Sequence, residues 1–388
     1  MGELPDLKGR AILQVAPELS AGGVERTVLE VTEAIVAAGG RALLASRGGR
    51  LEDEFDRLGG ELFRMDAKSR NPVTLKLNEG RLRAIIREEK VDLVHARSRA
   101  PAWSALAAAR AEGVPFVTTY HGAYSGTSGL KKAYNSVMAK GDLVIANSQW
   151  IAAHIRQVHE VDPARIVTIP RGVDLAAFDP AAVSPARIEA VRAGWGLAGD
   201  KRLTLLLPAR LTEWKGQGLA IEALSLLAQD ELACLVLVLA GDAQGRTKYA
   251  ESLQARIDAS GLERTILIAP HISDMPAACR AAEIILAPST RPEAFGRVAA
   301  EAAAMQRPVI VSEHGGARET VIEGETGSRV APGDARALAG AIRAMIALGP
   351  EVRGALGRAG RAHVERHFSK RGLQEATLSV YKRLLEQG

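Results

Sequence analysis

The chain has 388 residues, 47% of them hydrophobic and 24% charged, with a formal net charge of +5. That balance excludes a wholly disordered chain, and the length exceeds what one hydrophobic core usually serves, so two domains are expected. Basic blocks interleaved with aromatics are missing and aromatics make up only 4%, which argues against nucleic acid; the modest positive charge suits phosphates or an anionic membrane surface.

The first apolar run, Ala11–Ala16, is short and follows acidic residues, so no signal peptide is expected. No window holds the roughly 20 apolar residues of a membrane span; the run from Leu232 to Ala240 has the length of a buried strand. A cytoplasmic address is the expectation. Cys234 and Cys279 lie far apart in apolar surroundings, which predicts two buried thiols rather than a disulfide or a metal site.

Short apolar runs alternate with amphipathic stretches along the chain. Ala11–Ala16, Ala42–Ala45, Val91–His95, Phe116–Tyr120, Leu143–Ala146 and Ile166–Ile169 read as strands, with helical patterns such as Val24–Ala38, Leu75–Lys90 and Ala102–Ala111 between them. The alternation falters after Ala177, where turn residues flank a short polar helix, and this predicts a linker at 181–200. It resumes with strands at Leu203–Leu207, Cys234–Leu239, Thr265–Ile268, Ile284–Ala287 and Pro308–Val311, and a long helix closes the chain at Leu373–Glu386. Repeated βαβ units imply parallel sheets covered by helices on both faces. The expected fold class is therefore α/β, two doubly wound Rossmann-like domains meeting at a cleft. Ligands of such sheets bind beyond the carboxyl ends of the strands, so residues just after strands carry the functional information.

The densest such segment is SerThrArgProGluAlaPheGlyArgValAlaAlaGlu, residues 289–301. Glu293 lies in a loop after a strand, a helix starts near Gly296, and Glu301 falls in its second turn. Gly296 allows close backbone approach, free first-turn N–H groups can hold phosphate, and a carboxylate can accept two hydrogen bonds from a vicinal diol. Taken singly, Glu293 reads better as a helix cap and Glu301 as a solvated face residue. In ProAlaArgLeuThrGluTrpLysGlyGln (208–217), Arg210 ends a strand and Lys215 precedes a helix, so two cations converge where a diphosphate would sit. A pair of surface charges at a cap is the plain alternative.

Together these segments resemble retaining GT-B glycosyltransferases of family 4. GluAlaPheGlyArgValAlaAlaGluAlaAlaAlaMetGlnArgProValIle is similar to the family's E-x7-E signature, "EgfGxvxxEAmAxGxPVI", with Ala294 for the usual glycine and Gln306-Arg307 in place of a glycine turn. Arg210 and Lys215 resemble its R-x4-K donor-phosphate pair. SerAlaGlyGlyValGluArg (20–26) resembles its glycine-rich loop, with Gly22 and Gly23 toward the donor phosphates and Glu25 and Arg26 beside the acceptor or in structural roles. His121, in ThrThrTyrHisGlyAlaTyrSer (118–125), stands where the family places a histidine near the donor sugar. AlaGlyAspAla (240–243) is similar to a GDG turn, and Ile272 lies where the nucleobase is held. Arg171 replaces the usual Asn of "iPNGVD".

The resemblance covers nearly the whole chain. It implies an N-terminal, acceptor-side domain at 1–180, a C-terminal donor domain at 201–372, and a closing helix, 373–388, that crosses back to the first. It implies transfer of a hexosyl unit from a UDP-, GDP- or ADP-sugar to an acceptor hydroxyl, with retention by front-face departure. Lipopolysaccharide, capsule or glycolipid assembly is the expected setting. His121, Arg210, Lys215 and Glu293 are the implied catalytic group. Donor contacts are implied at Gly22, Gly23, Arg210, Lys215, Gly241, Ile272, Glu293, Ala294, Phe295, Gly296, Val298 and Glu301. No DxD motif occurs, so neither metal nor cofactor is expected. The acceptor is a lipid-linked glycan, a lipopolysaccharide or capsule intermediate, or a small metabolite. GlyLeuLysLysAlaTyrAsnSerValMetAlaLys (129–140) mixes basic and apolar residues, which reads as a peripheral membrane contact or an ordinary solvated helix. A sugar-nucleotide 2-epimerase, a dehydrogenase (weakened because the glycine loop after the first strand, 20–26, is not GxGxxG) and a catalytically silent sugar-nucleotide binder are the competing readings.

Overall fold

The structure, a computed structural model, describes residues 4–20, 22–124, 128–242, 245 and 247–387. Ala21, Ser125 and Ala243, each within a segment singled out above, lie outside these residues. The chain forms two compact units: residues 1–172 with 370–388, and residues 173–369.

The first unit holds strands β1 (Ala11–Val15), β2 (Arg41–Ser46), β3 (Gly60–Arg64), β4 (Leu93–Ala96), β5 (Phe116–Tyr120), β6 (Leu143–Ala146) and β7 (Ile166–Thr168). They make one sheet in the order β3-β2-β1-β4-β5-β6-β7, every neighbouring pair parallel. The second unit holds β8 (Leu203–Pro208), β9 (Leu235–Ala240), β10 (Ile266–Ala269), β11 (Ile284–Ala287), β12 (Val309–Ser312) and β13 (Gly327–Val330), in the order β10-β9-β8-β11-β12-β13. Central strands such as β9 are buried along their whole length, which is why they read as continuous apolar runs. Strands β3 (GlyGluLeuPheArg) and β13 (GlySerArgVal) carry no such run and escape a reading by hydrophobicity. Each closes one edge of its sheet and is only partly buried.

The closing helix runs from Lys370 to Leu385 and packs in the first unit, where Leu373, Leu378, Val380, Tyr381 and Leu384 join Ile12, Val31 and Ile35 in one core. Gln374 donates to the Glu30 carbonyl at 2.9 Å and to Glu33 at 2.8 Å, and the Tyr381 hydroxyl meets His95 Nδ1 at 2.6 Å. The division of the chain falls at 172/173, ahead of the expected boundary near 180. Residues 181–200, expected as a linker, include the helix Pro185–Gly194; Ile188, Val191 and Trp195 pack on the core of the second unit, and Arg187 pairs with Asp274 at 2.8 Å.

Cys279 is buried, as expected, and burial pushes its thiol above the usual range. Cys234 is exposed, contrary to expectation. It forms the C-cap of the short helix Gln229–Ala233, one residue before the buried part of β9 begins. Among the described residues no helix is long and apolar enough to cross a membrane.

Candidate functional site

In the second unit three strand-end loops converge on Glu293. The loop after β8 makes a 3-10 turn, Glu213–Lys215, and Gly216 follows at φ +84° as N-cap of the helix Gln217–Leu224. A side chain on Gly216 would overlap the Pro288 carbonyl, so only glycine gives both the left-handed turn and the close approach to the loop after β11. The Thr290 N–H donates to the Trp214 carbonyl at 2.8 Å, stitching those two loops together. Lys215 Nζ then lies 2.8 Å from Glu293 Oε1, with the two side chains only 13% and 14% exposed. Ser289 Oγ donates to the same carboxylate oxygen, and the ammonium sits 4.3 Å from the Trp214 ring centroid.

The third loop follows β12. The Gly316 N–H donates to the Glu293 carbonyl at 2.7 Å, and side chains on Gly315 or Gly316 would overlap the backbone of Glu293 or Ala294. His314 Nε2 donates to the Ser289 carbonyl at 2.8 Å. Gly296 caps the helix Arg297–Ala304 at φ +94°, and a Cβ there would stand 2.6 Å from Ala317 Cα. The Phe295 side chain is buried against Phe368, ring centroids 5.5 Å apart, so it anchors the loop in the core. Only its backbone is left for a ligand. Glu301 is 8% exposed and accepts from Arg297 Nε at 2.6 Å. Val298, Ser289, Lys215 and Glu293 line a small pocket between the ends of β8 and β11.

Of the remaining donor-side candidates, Arg210 is exposed just past β8 and forms no ion pair among the described residues. Gly241 lies where a side chain would overlap the Ala209 carbonyl, which gives it a packing role. Ile272 is half-buried against the core, and Asp274 caps the following helix by accepting from Ala277 N at 3.0 Å.

In the first unit, Gly22 precedes the helix Gly23–Ala37 at φ +136°. The space beside Gly23, expected to face donor phosphates, is taken by the Arg171 guanidinium, which any side chain on Gly23 would overlap. Arg171 Nη2 donates to His121 Nδ1 at 3.1 Å. Burial, and then the Arg171 and Arg97 cations, hold the His121 imidazole well below its usual pKa. The ring is therefore neutral. With Nδ1 accepting from Arg171, its proton sits on Nε2, which is buried and has no partner. Burial also raises the Glu25 carboxyl, and Arg26 is held by Glu54 at 2.5 Å.

Trp214, Ser289, Arg297 and His314–Gly316 in one unit, and Arg97 and Asn147 in the other, were not among the expected site residues. All but Arg297 lie in loops that leave the carboxyl ends of strands, so reading every strand end would have found them.

Residues 21–177 match the family described as Glycosyltransferase Family 4, and residues 189–363 match Glycosyl transferases group 1. A glycosyltransferase of solved structure from Rickettsia africae is 34% identical and superposes with a TM-score of 0.90 over 98% of this chain and all of that one. The chain belongs to glycosyltransferase family 4. Its two Rossmann-like units are the GT-B architecture. This family 4 glycosyltransferase is also 31% identical over 264 residues to a D-inositol 3-phosphate glycosyltransferase of Kineococcus radiotolerans. The match covers 64% of this chain and 59% of that protein, so the chain spans somewhat over half the length of that curated relative. HepE of Anabaena, solved with UDP-glucose, is 22% identical with a TM-score of 0.81, over 96% of this chain and 99% of that one, and shares the fold.

Proposed function

We propose that this glycosyltransferase moves a hexosyl unit from a nucleotide sugar to an acceptor hydroxyl with retention, in lipopolysaccharide, capsule or glycolipid assembly. The observation that carries the reading is the Lys215–Glu293 pair, largely withdrawn from water at the joined ends of β8 and β11. An ammonium has three donors. With one on Glu293, two remain for diphosphate oxygens, and the exposed Arg210 adds a second cation. Glu293, held by Lys215 and Ser289, has its second oxygen for sugar hydroxyls. Glu301, oriented by Arg297, accepts from the ribose diol. His121 meets the donor sugar. HepE binds UDP-glucose on the same fold, which supports a nucleotide-sugar donor. The cations answer the diphosphate charge without a metal.

Screening UDP-, GDP- and ADP-sugars by thermal shift, followed by product NMR with acceptor mixtures, tests this reading. One nucleotide class is expected to raise Tm, and transfer is expected to keep the anomeric configuration and to survive EDTA. Epimerised sugar formed without acceptor would favour the epimerase reading; binding without turnover would favour a silent binder.

A lipid-linked acceptor suits the helix Gly129–Asn135, where Leu130 is 87% exposed beside the exposed Lys131 and Lys132. Co-sedimentation with anionic liposomes is expected, and Lys131→Glu with Lys132→Glu is expected to abolish it. Equal sedimentation of both proteins would remove membrane contact from the proposal.

A further inference from the structure

Three strand-end segments of the first unit meet at His121. His121 directly follows β5, Arg171 lies in the loop after β7, and Gly23 opens the helix that follows β1. Strand β6 separates β5 from β7, so at the usual strand spacing their ends stand about 10 Å apart. The long arginine stem crosses that span; the short asparagine that Arg171 replaces would not. The guanidinium passes through the space that Gly23 leaves open, where a Cβ would stand 1.9 Å from Arg171 Nη1. Gly23 is not among the glycines of positive φ. Its missing side chain therefore makes room for Arg171 and serves no left-handed turn.

This contact settles where the protons of the ring lie. A guanidinium only donates, so His121 Nδ1 accepts from Arg171 Nη2, at 3.1 Å. The proton of the neutral ring is then on Nε2. Nε2 is buried, and the ring lines a small interior space with Arg97 and Asn147, which directly follow β4 and β6. Neither nitrogen keeps a free lone pair. A ring locked in this way also loses little freedom when a ligand reaches it.

We propose that Arg171 is a positioning residue: seated over Gly23, it fixes the His121 imidazole through Nδ1, so that His121 meets the donor sugar as a rigid contact and takes no part in proton transfer. The role toward the sugar rests on the transferase reading above; the bond between Arg171 and His121 does not. Arg171 acts through His121, and Gly23 acts through Arg171.

NMR of the ring nitrogens in the full chain, with His121 assigned among the eight histidines by its loss in His121→Gln, reads the bond directly. The expected wild-type signature is a protonated Nε2 and an unprotonated Nδ1 that accepts a hydrogen bond. Arg171→Asn removes the donor, and Gly23→Ala displaces it by overlap with Nη1. Both are expected to move the Nδ1 resonance toward that of a free acceptor nitrogen. Both are expected to lower kcat/KM about tenfold, the effect of one lost hydrogen bond. Because the two substitutions act on one contact, the double variant is expected to lose about tenfold in all and not about a hundredfold. Arg171→Lys restores a donor and is expected to regain part of both signals; it takes the place of Gly23→Ala if that variant does not fold. A proton on Nδ1 in the wild type, an Nδ1 resonance unmoved in Arg171→Asn, losses that multiply in the double variant, or an unchanged kcat/KM beside a moved resonance would overturn the proposal. Transfer assays on the wild-type protein report on the transferase reading alone. If no nucleotide sugar gives product, that reading falls, and the NMR signature still decides the bond.

Discussion

Lys215→Ala is expected to lower kcat/KM for transfer by about a hundred- to a thousandfold, the usual effect of removing one preorganised donor from developing phosphate charge. The side chain is fixed before substrate arrives: Nζ is 2.8 Å from Glu293 and 4.3 Å from the Trp214 ring centroid. Little reorganisation is then needed when the leaving group gains charge. The substitution also has a structural cost, because Glu293 keeps only the Ser289 hydroxyl on that oxygen and a poorly solvated carboxylate loses its counter-charge. The double variant Lys215→Met/Glu293→Gln separates the two effects. It removes both charges together, so thermal stability lost in Lys215→Ala is expected to return while turnover stays low. Steady-state kinetics and a melting curve on the three proteins decide the matter. Recovery of turnover along with stability would mean that the pair only holds the loops together.

Phe295→Ala is expected to destabilise the second unit by about 3–5 kcal/mol, the range for removing a buried phenyl ring. Phe295 lies in a cluster with Val173, Ala300, Ala303, Val364 and Phe368, edge-on to Phe368. Its neighbours are small or on other elements, which limits how far the space can close. The backbone on either side carries Glu293 and the capping glycine, so nucleotide affinity is expected to fall with stability. Urea unfolding, with the transition of the second unit fitted separately, gives the number. Phe295→Leu is expected to recover most of the loss. A change below about 1 kcal/mol for the alanine variant would show that the loop does not depend on this anchor.

Most of the architecture was legible because buried parallel strands are continuous apolar runs, and β9 or β11 can be read from four to six letters. The edge strands β3 and β13 could not be read in this way, since their composition is mixed, whereas the other two edge strands, β7 and β10, keep a short apolar run. Glu293, Gly296 and Glu301 were legible as a unit because loop, cap and helix are contiguous. Phe295 was not readable as a core anchor, because nothing near it in sequence says that Phe368 will meet its ring.

The sequence by itself determined the two doubly wound units, the helix start at the E-x7-E segment and the place of Arg210 and Lys215 in the loop after β8. These follow from local periodicity, caps and turn residues, which act over a few positions. Only the tertiary structure decided that Lys215 and Glu293 form one pair, that Arg171 fills the space beside Gly23, and that Arg97, His121 and Asn147 share a cavity. Those contacts join residues far apart in the chain, and strand order, not spacing, brings them together.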